Sequence, residues 1–414
     1  MQLSEHKLKL LIKILFSIIP ISILIGSTPS IINIITIALL GVFIFIFFVQ
    51  KFSLFANKTV RLLLILYLYL IFNTFISLDY EVSAFRNIGF IRYIFLFVAI
   101  NFIFYQEKNV DFIFKVWLAV ILIVFFDIFF EFYNGKNILG FPSLKNRIGS
   151  FFKDEAVIGS FVNSFIFLIF GYLLKNFEKK KNYEKLFTIS FLLIGITSVI
   201  FTGERASTIK LFFGLFLFFL IIKKTKYIYL TVVLASIIIF ISANFGQYKV
   251  IKTRFYDDIF PRFFPKLYNV EKRHTSIYFH LYASGIEVFK KYPVFGVGTK
   301  NYRVETCVKD LTRKYKCNTH PHQIYVEFLS EHGLAGTILL LYLFFSLIFK
   351  NFRNMVQSKN YIQIGCFTYL ITHFIPLIPS GSFFSDFNST FFFLNLSLLY
   401  AVNSNTNIFK KIGN

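Results

Sequence analysis

Along the chain, long apolar runs alternate with short polar breaks. Roughly 20 mostly apolar residues are enough to cross the hydrocarbon core of a bilayer. About twelve runs approach that length, near 8–26, 31–49, 60–78, 88–106, 112–133, 156–174, 186–201, 208–222, 227–245, 334–350, 361–378 and 388–404. The pattern predicts an all-α polytopic membrane protein with about 12 transmembrane helices. One polar stretch differs from the rest. Residues 246–333 separate the ninth and tenth runs by about 88 residues, and a connection that long is usually functional. The expected organisation is therefore 1–245 (nine spans), 246–333 (a large loop with short helices) and 334–414 (three spans). Within the loop, Ser276–Lys291 has helical spacing of apolar residues, and Pro293 with the glycines of VFGVGTKNY ends that helix. From Ile324 the chain reads as a helix that runs on into the tenth span.

Composition narrows the class further. The chain is 56% hydrophobic and 16% charged, with 61 Phe, against roughly a quarter charged in ordinary soluble domains. The formal charge of +23 would suggest nucleic acid in a soluble protein. Here the lysines gather in short breaks between apolar runs, so no nucleic-acid partner is expected and the partner is the bilayer. Lys51, Lys58, Lys175, Lys179–Lys181, Lys223, Lys224, Lys359, Lys410 and Lys411 would all share one face with the N-terminus, which marks that face as cytoplasmic. The segments 134–155, 202–207, 246–333 and 379–387 then face outward. No cleavable signal is evident before the first run.

The candidate chemistry lies on that outer side. Thr319-His320-Pro321-His322-Gln323 precedes the helix at Ile324, which sets His322 at the membrane surface. Neutral imidazole can accept a proton near pH 7, which suits it to activating a hydroxyl. Glu327 and Glu331 follow at four-residue spacing, close to hydrocarbon, where unpaired charge is costly. Arg147, Arg205 and Arg273 all fall on the outer side, where short loops seldom carry unneeded cations. Each could instead touch lipid headgroups. Together they suggest an anionic, phosphate-bearing substrate, because Arg binds phosphate bidentately and keeps its charge. Cys307 and Cys317 bracket a short loop in an oxidising compartment and read as a disulfide, with two free thiols or a pair of metal ligands as alternatives. No HExxH, clustered-carboxylate or P-loop pattern is present, so neither a metal nor another cofactor is expected.

These residues resemble the O-antigen ligase and polymerase superfamily of bacterial envelope biosynthesis. His322-Gln323, nine residues, Gly333, two residues and Gly336-Thr337 follow the ligase-type signature. TGERAS, RHTSIYFHLYASGIEVFKKYPVFGVGTKNY and NRIGSFF resemble three further segments, and the likeness extends over about 140–400. It implies a metal-independent, GT-C-like glycosyltransferase of the inner membrane with its active site facing the periplasm. The enzyme would move a glycan from undecaprenyl pyrophosphate to an acceptor hydroxyl, usually on lipid A–core. By that likeness His322 is the base, Arg205, Arg273 and Arg147 bind the donor pyrophosphate, and His320, Gln323 and Glu327 orient the site. The family turn has Ser before its Arg, whereas this chain has Glu204, whose carboxylate could pair with Arg205. A repeat-unit polymerase on the same fold is the alternative. A transporter or flippase fits less well, since the polar groups gather outside one face rather than at a midplane.

Overall fold

The computed structural model describes residues 2–47, 51–106, 110–224, 254, 277–308 and 315–409. The expected span at 227–245 and the candidate Arg273 lie outside the described residues. Helices in chain order are α1 Gln2–Ser17, α2 Ile19–Ile25, α3 Ser27–Phe47, α4 Lys51–Ala56, α5 Lys58–Phe75, α6 Tyr80–Gly89, α7 Ile91–Gln106, α8 Asp111–Asn134, α9 Ile158–Leu173, α10 Asn182–Phe201 and α11 Arg205–Ile221. They continue as α12 Ile277–Lys291, α13 Tyr302–Thr306, α14 Ile324–Phe349, α15 Phe352–Ser358, α16 Tyr361–Thr372 and α17 Asp386–Ala401. Among the described residues there is no strand, only isolated bridges at Lys136–Pro142 and Leu144–Arg147.

Among the described residues, six helical stretches are long and apolar enough to cross a membrane: Ser27–Ile44, Lys58–Phe75, Tyr80–Tyr105, Asp111–Asn134, Asn182–Phe201 and Ile324–Ser358. The pair α1–α2, bent by 47° where Pro20 follows Ile19, raises the number to seven. The apolar runs predict about twelve. Those that α9, α11, α16 and α17 occupy fold into helices of 12 to 17 residues, roughly 18–26 Å long and short of the ~30 Å hydrocarbon core.

Apolar residues on every side of a helix predict burial on every side, and α9 follows that rule. All of it except Ser160 and Tyr172 is buried. It packs against α16, and α17 runs between α16 and α7. Aromatic rings fill the space between helices: Phe383 meets Phe344 at 4.9 Å and Phe392 at 5.1 Å, and Tyr93 stacks on Phe393 at 5.4 Å. Asp386, at the start of α17, pairs with Arg86 of α6 at 2.7 Å and also with Arg92 of α7. Those contacts fix the end of the bundle on which the candidate residues sit.

Helix α12 spans Ile277–Lys291, as its spacing predicts. The helix from Ile324 begins on time but is not continuous. Gly333 has φ 63° and ψ −170°, which breaks α14. Backbone from the 293–298 segment fills the break: Leu334 N–H donates to Pro293 O (2.8 Å), Ala335 N–H to Val294 O (3.1 Å), Val297 N–H to Ser330 O (3.0 Å) and Gly298 N–H to Glu331 O (2.9 Å). A Cβ on Gly333 would stand 2.3 Å from the Val294 carbonyl, and one on Gly296 2.4 Å from the His332 nitrogen. Gly336 packs against Tyr69 in the same way, with room for hydrogen alone. Gly333 and Gly296 therefore let the 293–298 segment lock into the helix that follows His322, and Gly336 lets Tyr69 of α5 approach that helix closely.

Candidate functional site

Segments distant in sequence meet at a cavity of about 600 Å³, whose lining includes Arg147, Arg205, Lys210, Arg254, Tyr278 and His322. Arg147 comes from the 135–155 loop. That loop is anchored by two acids four residues apart on the buried face of α8. Asp127 accepts from Ile138 N–H (2.8 Å) and from the Ser150 hydroxyl, and Glu131 accepts from Gly149 N–H (3.1 Å) and Ser150 N–H (2.6 Å). Ile148 N–H reaches Thr202 O at 3.1 Å, tying the Arg147 loop to the turn that carries Arg205.

That turn answers the question Glu204 raised. Its buried carboxylate accepts from Gly159 N–H at 2.7 Å, at the N-terminal end of α9, and from the Ser207 hydroxyl at 2.7 Å. A carboxylate at a helix N-terminus is favourable there. Burial still pushes its pKa up to about 7, against the lowering pull of those two bonds and of Arg147. Arg205 opens α11 beside it, and the Nε of Arg254 donates to Gly203 O at 3.1 Å.

The third segment is the strap Thr319–Gln323. Gln323 caps α14 by accepting from Val326 N–H at 2.8 Å, and it is buried rather than on the cavity wall. His322 has φ 58°, a left-handed conformation that costs a non-glycine residue about 1–3 kcal/mol and recurs at active sites. Its carbonyl accepts from Ser380 N–H at 2.9 Å, so the fourth segment, Pro379–Asn388, holds the strap in place. The imidazole lies edge-on to Tyr278, with 5.8 Å between ring centroids. Burial lowers its pKa, so it stands neutral at pH 7 and able to accept a proton. His320 packs on it with centroids 3.9 Å apart and makes no part of the cavity lining. Burial, His322 and Lys300 hold its pKa down to about 3.

Glu327 is fully buried behind the strap, where it accepts from the Ser382 hydroxyl (2.5 Å) and Phe383 N–H (3.0 Å). Lys300 donates to the same Ser382 hydroxyl. Cys307 and Cys317 are bonded to each other, 4.6 Å apart between Cα atoms, outside the cavity. Among the described residues, no group of three or more His, Cys, Asp or Glu side chains gathers as a metal would require.

Sequence reasoning missed four contributors. Arg254 and Lys210 carry no motif and reach the cavity through tertiary folding alone. Asp127 and Glu131 did leave a signal, two acids inside an apolar helix. Chemically, the cavity offers guanidinium forks suited to an anion, beside a neutral base. No curated protein matches the chain. A family model described as O-Antigen ligase matches residues 190–341, from α10 through the large loop and across the break at Gly333. Over that stretch the chain is similar to the O-antigen ligase family.

Proposed function

We propose that the chain is a glycosyltransferase that moves a glycan from undecaprenyl pyrophosphate to an acceptor hydroxyl, on lipid A–core or another glycan. It works at the periplasmic face of the inner membrane, without a metal or other cofactor. The observation that supports this reading is that three arginines and a lysine line one cavity together with a half-buried, neutral histidine. In the reaction, the acceptor oxygen bonds to the anomeric carbon as the bond from that carbon to the pyrophosphate oxygen breaks. His322 takes the hydroxyl proton, and the pyrophosphate leaves with the electron pair. Negative charge grows on the leaving oxygen, where Arg205, Arg254 and Arg147 supply fixed positive charge in a partly dry site. Arg273 joins that group by its sequence resemblance. Glu327 acts through Ser382 and the 380–383 backbone, which in turn holds the His322 carbonyl.

The nine-residue spacing from Gln323 to Gly333 favours a ligase over a polymerase. The test is reconstitution of the purified protein with lipid-linked glycan and lipid A–core in excess chelator. A single addition to the acceptor is expected, whereas a ladder of lengthened repeats would mean a polymerase. His322→Ala should lose about 10²–10⁴-fold in turnover with donor binding nearly intact. Arg205→Lys should recover only part of what Arg205→Ala loses, because Lys brings charge without the fork. Activity lost in chelator and restored by a divalent ion would overturn the metal-free reading.

A further inference from the structure

A second cavity, of about 510 Å³, opens beside the first and shares no lining residue with it. Its walls include Glu81, Phe85, Arg86, Lys300, Arg303 and Thr319. Lys300, on the wall of the second, links it to the first through its ammonium, which donates to Ser382. Gly381 and Phe383, on either side of Ser382, line the arginine cavity. His320 stands at the same junction. Its Nδ1 is 3.0 Å from the Thr319 hydroxyl, and its ring lies against His322.

The charge balance of this cleft favours an anion. Arg86 is paired with Asp386, and Lys300 bonds Ser382, so Lys300 and Arg303 stand against the single exposed carboxylate of Glu81. Arg303 is exposed and makes no ion pair among the described residues. Phe85, 81% exposed, gives the cleft an apolar flank against which the C–H face of a sugar can pack. The walls are also held in register. Asp79 N–H donates to Asn301 Oδ1 at 2.7 Å, and the Ser83 hydroxyl to Thr299 O at 2.8 Å. The Cys307–Cys317 bond ties the end of α13, which carries Arg303, to the residues just before Thr319.

The donor's anion is accounted for by the arginine cavity, so the acceptor must reach the histidine from a side the donor leaves open. We propose that this cleft is the acceptor subsite and that it binds a phosphate monoester carried on the acceptor glycan near the receiving hydroxyl. The assignment rests on the glycosyl-transfer reading above. A membrane phospholipid headgroup would offer the same phosphate chemistry, so the test separates the two sources.

Full-length protein is placed in phosphatidylcholine nanodiscs with lipid-linked donor glycan. The acceptors are lipid A–core and the same glycolipid after phosphatase treatment. The wild type should bind the phosphorylated acceptor about tenfold more tightly, the size of one charged hydrogen-bonding contact. Arg303→Gln should erase that difference and raise the acceptor KM by a similar factor while the donor KM stays in place. Lys at the same position should restore part of it. Transfer that proceeds equally well on both acceptors, or an Arg303→Gln protein that still prefers the phosphorylated one, overturns the assignment. So does loss of the preference when phosphatidylglycerol is added to the discs, which would make the cleft a lipid-headgroup site. No transfer by the wild type to either acceptor would instead sink the glycosyl-transfer reading itself.

Discussion

His322 and Glu204 show how single residues set the chemistry of the arginine cavity. His322 is neutral because burial disfavours its cation, and its left-handed backbone persists because Ser380 holds its carbonyl. Among the described residues, Glu204 is the one carboxylate on a wall that also carries Arg147, Arg205, Lys210 and Arg254, and burial pushes its pKa up to about 7. The sign of its effect on the donor follows from charge. Below pH 7 the group is neutral and leaves the cations to the pyrophosphate, which is fully ionised throughout this range. Above pH 7 it is an anion facing another anion, although Arg147 and Lys210 soften the repulsion. The donor KM of the wild type should therefore rise between pH 6 and pH 8, by at most about tenfold per pH unit. Glu204→Gln keeps the shape and an oxygen for Gly159 N–H and removes the titration, so its donor KM should stay flat. Steady-state donor titrations across that range decide the matter. A wild-type KM independent of pH, or a Gln variant that still varies with pH, would remove Glu204 from donor binding.

At the scale of elements, the break in α14 carries most of the design. Read one residue at a time, Gly333 is a glycine within a helix, and Ala there would be expected to stabilise by roughly 1 kcal/mol. Its geometry reverses that sign. Ala would adopt a conformation open in practice to glycine alone and would push its methyl into the Val294 carbonyl. Gly333→Ala should then lower the thermal midpoint in detergent and abolish transfer together, by displacing the 293–298 segment and with it Lys300. A Gly333→Ala protein as stable as the wild type would show that the segment does not depend on the break. This element also marks the limit of what the sequence made legible. The helix over Ile277–Lys291, the helix start at Ile324 and the apolar runs follow from local pattern, because periodicity is a local property. The break is not, since nothing nearby in sequence announces that a strand of backbone from 293–298 will replace one turn of hydrogen bonds. The same holds for Arg254, whose role depends on a carbonyl 51 residues away. The acids on α8 were readable and were passed over, because their partners in the 138–150 loop are main-chain amides rather than cations.

Over the whole molecule, both cavities gather at one end of the bundle, and several exposed lysines lie away from it. The arginine cavity, the phosphate cleft and the Cys307–Cys317 bond share the end that carries Asp386 and the 379–388 segment. Lys175, Lys179 and Lys359 lie beyond the opposite ends of α9 and α15. If the lysine bias sets orientation, the first end faces outward and the second stays in the cytoplasm. Two exposed positions on either side of α9 test this with one reagent. Asp154→Cys sits before α9 and Lys179→Cys after it. The native cysteines should stay silent without reductant, because Cys366 is buried and the other two are bonded to each other. In intact cells whose outer membrane has been made permeable, an impermeant maleimide should label Asp154→Cys, and Lys179→Cys should react only after the inner membrane is opened. After reduction, Cys307 and Cys317 should label with the same outward access as Asp154→Cys. Both engineered sites reacting from outside would mean that α9, 16 residues long, does not carry the chain across the bilayer. The reverse pattern would turn the cavity toward the cytoplasm, away from any periplasmic acceptor.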